Sequence, residues 1–289
     1  MPDISEIKDI YPFKSNYFRI KDYNYHYVDE GKGEPVVMVH GNPTWSFYYR
    51  RLISEVSKTH RAIAPDHLGC GLSDKPQNFE YRLETHIDNL EAFLLSLKLD
   101  KITLVMHDWG GAIGMGFAVR HPQKIKRLVI LNSAAFSMHW IPWRISLGRI
   151  PWLGEKLIRK LNLFCSLSVR MAVSRKLAPE VKKGLLLPYD SYENRIAVYN
   201  FVEDIPLRPE HKSYEVLLQV EHGLWMFREY PVCIIWGMKD WCFTHRFLER
   251  WILYCPQAQV FPIKDANHYL LEDAPDEVIG YIRKFLNNN

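Results

Sequence analysis

The sequence predicts a mostly parallel, doubly wound α/β sheet with a helical cap inserted into it, and three observations carry that prediction. Between Pro35 and Leu131, short apolar runs alternate with amphipathic stretches of helical period, the pattern of parallel strands joined by crossover helices. The alternation stops after Asn132 and resumes near Tyr214. One run, Ile102 to Met106, passes directly into His107-Asp-Trp-Gly-Gly111 and a glycine-punctuated helix from Ala112 to Arg120. A strand-to-helix turn that sharp holds one side chain above the sheet edge, at a helix N-terminus that favours negative charge. The side chain held there is an acid, Asp108.

The elements follow in order. Residues 17–29 read as two aromatic strands joined at Lys21-Asp22. Pro35-Val-Val-Met-Val-His40 is apolar on both faces, as an interior parallel strand is, and ends in Gly41-Asn-Pro43. A helix is expected from Phe47 to Val56. The strand Arg61 to Pro65 runs into a glycine-rich loop, Asp66 to Pro76. Leu83 to Leu97 carries Ile87, Leu90, Phe93, Leu94 and Leu97 at helical spacing. After the Asp108 strand and its helix comes a strand at Ile125 to Leu131. From Ser137 to Pro209 no strand is legible, and prolines such as Pro142, Pro151, Pro179 and Pro188 interrupt short helical pieces. A helical stretch (Tyr214 to Phe227), a strand (Pro231 to Trp236), a helix (His245 to Trp251), a strand (Ala258 to Pro262) and a last helix (Pro275 to Leu286) complete the chain. Residues 1–136 and 210–289 are therefore expected to form one core domain, with 137–209 as the cap. A chain of 289 residues suits one large core with a small insert.

Composition narrows the function classes. Hydrophobic residues make up 47% and charged residues 24%, the balance of a compact globular protein. The net charge of +4, from 37 basic and 33 acidic residues, is too slight and diffuse for nucleic-acid binding. Five cysteines without a C-x-x-C suggest neither a disulfide framework nor a zinc knuckle. The first residues lack a basic stretch followed by an apolar one, and no run reaches membrane-spanning length. A reducing cytoplasm is the expected location.

Three strand ends offer reactive side chains: Asp108, then Asp240 in Trp236-Gly-Met-Lys-Asp240, then His268 in Asp265-Ala-Asn-His268. Nucleophile, acid, histidine is the chain order of α/β-hydrolases, with aspartate where an esterase has serine. Loops at the carboxyl ends of parallel strands converge on one crevice, so distant residues meet there. Asp240 would hold His268 in one tautomer, and His268 would activate a water. The backbone N–H groups of Asn42 and Trp109 are expected as an oxyanion hole, and their side chains offer N–H donors to a departing anion.

His40-Gly-Asn-Pro-Thr-Trp-Ser-Phe-Tyr-Tyr-Arg50, Pro65-Asp-His-Leu-Gly-Cys-Gly-Leu-Ser-Asp-Lys-Pro76 and His107-Asp-Trp-Gly-Gly111 closely resemble the haloalkane dehalogenases, over essentially the whole chain. The resemblance implies the α/β-hydrolase fold and a two-step reaction. Asp108 would attack the halogen-bearing carbon to form an alkyl ester, and a water activated by His268 and Asp240 would cleave it. Asn42 and Trp109 would hold the halide, and no cofactor or metal is implied. In that family the triad acid follows one of two strands. The earlier position here is Asn132, which cannot act as a carboxylate, so Asp240 is expected. The cap stretches Leu187-Pro-Tyr-Asp-Ser-Tyr-Glu-Asn-Arg-Ile-Ala-Val198 and Phe201-Val-Glu-Asp-Ile-Pro206 resemble the β-lactone decarboxylase of bacterial long-chain olefin biosynthesis. Haloalkane dehalogenation is thus the first reading by reaction, and decarboxylation of a lipid β-lactone to an alkene is the alternative.

Other readings are weaker. Epoxide hydrolysis uses the same triad but expects paired cap tyrosines, for which Tyr189, Tyr192, Tyr199 and Tyr214 are available. A silent hydrolase fold used for protein interaction usually lacks a triad member, and none is missing. Asp265 rivals Asp240 but suits a turn cap, and His40 and His107 suit hydrogen bonds to backbone. Met106 stands where the usual elbow has a small residue. Trp140, Trp143 and Trp152 lie among prolines with Arg144, Arg149, Lys156, Arg159 and Lys160 nearby. Leu153, Leu157, Leu161 and Phe164, at helical spacing, are expected to pack a cap helix on the core and roof an apolar pocket. Contact of this region with a membrane surface or partner enzyme is the sharper alternative. The substrate is expected to be small and apolar or lipid-like; the oligomeric state is not legible.

Overall fold

The computed structural model describes residues 2–288. It lays eight strands in one sheet in the order β1-β2-β4-β3-β5-β6-β7-β8. These are β1 (Asn16–Ile20), β2 (Tyr23–Glu30), β3 (Pro35–Val39), β4 (Arg61–Pro65), β5 (Ile102–Asp108), β6 (Ile125–Ser133), β7 (Val232–Gly237) and β8 (Gln259–Ile263). Both pairings of β2 are antiparallel, and the remaining five are parallel. The central strands are apolar on both faces because both faces are covered. Val37, Val39, Leu104 and Met106 enter one core layer, while Val36, Met38 and Val105 enter the other, as the alternation of side chains along a strand requires.

The first layer is closed in part by α2 (Leu83–Ser96) and α3 (Trp109–Arg120), the second in part by α1 (Arg50–Val56). Between β6 and β7 the described residues 137–209 form no strand. Here lie α4 (Trp143–Leu147), α5 (Leu163–Met171), α6 (Pro179–Leu186) and α7 (Ile196–Glu203). They share a small apolar cluster of their own, centred on Ile158, Cys165, Tyr189, Val198 and Val202. The chain then returns to the sheet body with α8 (Tyr214–Gly223), α9 (His245–Tyr254) and α10 (Pro275–Asn288). No described helix is long and apolar enough to cross a membrane.

The larger departures from the sequence reading lie in the helices. The helix expected from Phe47 begins as a 3-10 turn, Ser46–Tyr49. The helix expected from Ala112 begins at Trp109, because Asp108, at φ 53° and ψ −126°, turns the chain in a single residue. The leucine line Leu153-Leu157-Leu161-Phe164 does not form one helical face. A single α turn (Leu153–Glu155) widens into a π turn (Lys156–Lys160), and Asn162, at φ 53°, breaks the chain before α5. Ile158 is buried there, while Leu161 is exposed.

Candidate active site

Asp108 sits at the carboxyl end of β5 in backbone that only a crowded site maintains. Two glycines permit it. A Cβ on Gly41 would lie 2.1 Å from Asp108 Oδ1, and one on Gly110 would lie 2.0 Å from the Val39 carbonyl. Met106, the departure from a small residue before the elbow, packs over α3 where Gly114 has no side chain; a Cβ there would lie 2.7 Å from its sulfur. The Ser133 hydroxyl donates to the Asp108 carbonyl at 2.5 Å. The Asn42 N–H donates to Asp108 Oδ1 at 2.6 Å, and the Trp109 N–H also reaches this carboxylate. One carboxylate oxygen is thereby held and the other, Oδ2, faces His268.

His268 follows β8. Its Nδ1 lies 2.8 Å from Asp240 Oδ2, and its Nε2 lies 3.6 Å from Asp108 Oδ2. The second separation is too long for a hydrogen bond, so Nε2 stays available to a third group. Phe243 stacks on the imidazole at 5.5 Å and 10°. His107 bonds the His268 carbonyl through Nε2 at 2.9 Å, and His40 bonds the Gly41 carbonyl through Nδ1 at 2.8 Å; both bond backbone, as expected. Asp265 is exposed and pairs with Lys239 at 2.7 Å, away from the histidine. The sequence-predicted set Asp108, Asp240, His268, Asn42 and Trp109 is therefore brought together at one crevice.

The electrostatics follow from burial and pairing. Burial raises the Asp108 pKa above the ordinary carboxylate value, against the His268 charge and the two backbone N–H donors. Burial lowers that of His268, but the charge and hydrogen bond of Asp240, with the charge of Asp108, reverse this and leave it raised. The imidazolium is thus favoured between two aspartates.

Sequence reasoning missed how Asp240 is held. Asn132 donates from Nδ2 to Asp240 Oδ2 at 2.9 Å and to the Gly237 carbonyl at 3.1 Å, while its Oδ1 accepts the Gly237 N–H at 2.7 Å. The amide set aside as unable to be the acid is a donor that orients the acid. Cys242 and Phe243 donate backbone N–H groups to Asp240 Oδ1 at 2.7 and 3.0 Å. A second missed residue is Asp273. It accepts the N–H groups of Ser174, Arg175 and Asn267, tying the histidine loop to the segment after α5.

Two apolar cavities open from this point. One, of about 130 Å³, runs along Ala112, Phe136, Leu217 and Phe247. The other, of about 410 Å³, runs along Leu157, Leu167, Met171 and Trp241. Both reach Asn42 and Asp108, and Ile145, Phe164 and Cys242 form the wall between them. Trp109 lines the smaller cavity. The Asn42 amide donates one N–H to the Val198 carbonyl at 3.1 Å, and its second N–H remains for a ligand.

A family pattern described as the alpha/beta hydrolase fold matches residues 34–164. The chain is 45% identical to the cis-3-alkyl-4-alkyloxetan-2-one decarboxylase of Shewanella oneidensis, over 95% of this chain and 89% of that protein. It belongs to that α/β-hydrolase family. The family also contains haloalkane dehalogenase 2 of Mycobacterium tuberculosis, 30% identical over 97% of both chains. The haloalkane dehalogenase of Bradyrhizobium elkani shares the fold, with a TM-score of 0.87 at 23% identity, over 96% of this chain and all of that one, 100%. Both resemblances read from the sequence, to haloalkane dehalogenases and to β-lactone decarboxylases, are borne out.

Proposed function

We propose that this chain decarboxylates cis-3,4-dialkyl β-lactones to alkenes, in the cytoplasm. The observation that carries the reading is the pair of apolar cavities meeting at Asp108, one for each alkyl chain of such a ring. The identity of 45% to the Shewanella decarboxylase, against 30% to the mycobacterial dehalogenase, points the same way. Five unpaired cysteines suit a reducing compartment.

The chemistry uses the groups described above. Asp108 Oδ2 attacks ring carbon C4, the C4–O ring bond breaks, and its electron pair leaves a carboxylate on C3. The free Asn42 N–H and the Trp109 indole N–H receive that carboxylate, while apolar walls keep it otherwise unsolvated. The C3–carboxylate bond then breaks and its electron pair forms the C3=C4 double bond. The C4–Oδ2 bond breaks with it, carbon dioxide leaves and Asp108 is regenerated as a carboxylate. No water is consumed. The His268 imidazolium, favoured by Asp240 and Asp108, stabilises the departing Asp108 carboxylate.

Haloalkane dehalogenation is the second reading, favoured by Asn42 and Trp109 flanking the carboxylate and by His268 Nε2 at 3.6 Å, open to a water. The experiment that separates them supplies a long-chain cis-β-lactone and a 1-bromoalkane side by side in ¹⁸O-water. Alkene and carbon dioxide with unlabelled Asp108 support decarboxylation. Bromide release with ¹⁸O in Asp108, and intact lactone, overturns it.

A further inference from the structure

The chain's small net charge conceals an uneven distribution. Residues 137–176 carry eight lysines and arginines against one acid, Glu155, hence +7, while the whole chain is +4; all other residues together stand at −3. Glu155 is already engaged by Arg159 and by the Tyr192 hydroxyl. Lys156, Lys160 and Arg170 are exposed and form no ion pair among the described residues. Arg149 and Arg159 are drawn inward, to the Ile205 carbonyl and to Glu155 and Gln77, which leaves the uncompensated positive charge on the exposed bases of the inserted segment.

The same segment exposes large apolar side chains. Trp143 is 65% and Trp152 74% exposed, and Leu147, Leu161, Leu163 and Leu167 are exposed as well. Trp143, Leu147, Leu163 and Leu167 also line the larger cavity that leads to Asp108. They form its apolar mouth. Trp152 is held at φ 58°, a left-handed conformation rarely adopted by a bulky residue, in the turn just before Gly154 packs on Gly148 of the mouth. Arg144 stacks on Trp143 and Trp241 at the same opening. Exposed apolar and aromatic side chains interspersed along one segment with exposed lysine and arginine are the composition of a surface that lies in a bilayer interface.

We propose that this face docks on an anionic phospholipid bilayer, so that the larger cavity opens into the lipid and takes up its substrate from there. Nucleic acid matches the charge but not the exposed tryptophans and leucines. An apolar substrate reaches Asp108 through side chains of like polarity without crossing water. The docking rests on the exposed face itself and not on which carbon–oxygen or carbon–halogen bond is broken.

The test is sedimentation of the purified full chain with vesicles of phosphatidylcholine, with and without phosphatidylglycerol. Binding to the anionic vesicles at low salt, released by added salt, is expected. The triple variant Lys156→Glu/Lys160→Glu/Arg170→Glu should partition roughly tenfold more weakly or worse, with an unchanged circular dichroism spectrum. Trp152→Ala should weaken binding without altering its salt dependence. No sedimentation with anionic vesicles, equal binding of the charge-reversed protein, or tighter binding to a DNA duplex than to vesicles would each overturn the proposal. None of these readouts uses turnover, so they fail or succeed apart from the assigned reaction.

Discussion

The sheet body and the inserted helices use their side chains in opposite ways. In β3, β5, β6 and β7 nearly every residue is buried, and the ends of β5 and β6, with the loops after β7 and β8, present Asp108, Asn132, Asp240 and His268. Each carboxylate there is held by backbone N–H groups that cannot swing away. The inserted helices have a small apolar cluster, irregular turns at Trp152 and Asn162, and several exposed leucines and tryptophans. The strand ends hold the candidate site in rigid backbone, whereas the helices of the insert line the cavities that open onto it.

The comparison breaks if the strand ends can be altered without consequence. Asp108→Ala should lower turnover of either substrate by about 10³-fold or more, with the fold unchanged by circular dichroism; retained turnover would remove Asp108 from the mechanism. His268→Gln should let a 1-bromoalkane accumulate as an ester on Asp108, visible as an intact-mass increase, while alkene formation falls less because it needs no water. The pH profiles should diverge as well. Ester hydrolysis needs neutral His268, so bromide release should fall as pH drops through the raised His268 pKa. Alkene formation draws on the imidazolium and should fall as pH rises through it. Parallel profiles would sink this assignment of His268.

Smaller effects sharpen the contrast. Asn132→Leu removes a donor from Asp240 and strands the Gly237 N–H, at a cost of about 1–3 kcal/mol in urea unfolding, and turnover should fall roughly tenfold with it. On the substrate side, Leu217→Trp fills the smaller cavity. It should raise KM for a long-chain lactone about tenfold and leave a short-chain one nearly untouched, a steric loss of the size one or two buried methylenes represent. An equal effect on both chain lengths would place Leu217 outside the substrate's path.

Local pattern was enough to read much of this protein. Continuous apolar runs such as Val36 to Val39 declare two covered faces, because a strand exposed on either side carries polar residues there. The elbow at Asp108 was legible since strand, acid and glycines are contiguous. Asp240 and His268 were legible from their places after later strands, because loops at one sheet edge must converge. What local pattern could not carry depended on approach in space. Asn132 was recognisable only as an absent acid until β7 lay beside β6 and brought Gly237 and Asp240 to its amide. The leucines of 153–164 kept helical spacing on paper, yet a π turn and the left-handed Asn162 rotated them apart. The two cavities meeting at Asp108 belong to neither sheet nor insert alone. They exist because Ile145 and Phe164 of the insert come down beside Cys242 of the core, and packing between distant segments leaves no periodic trace in the chain.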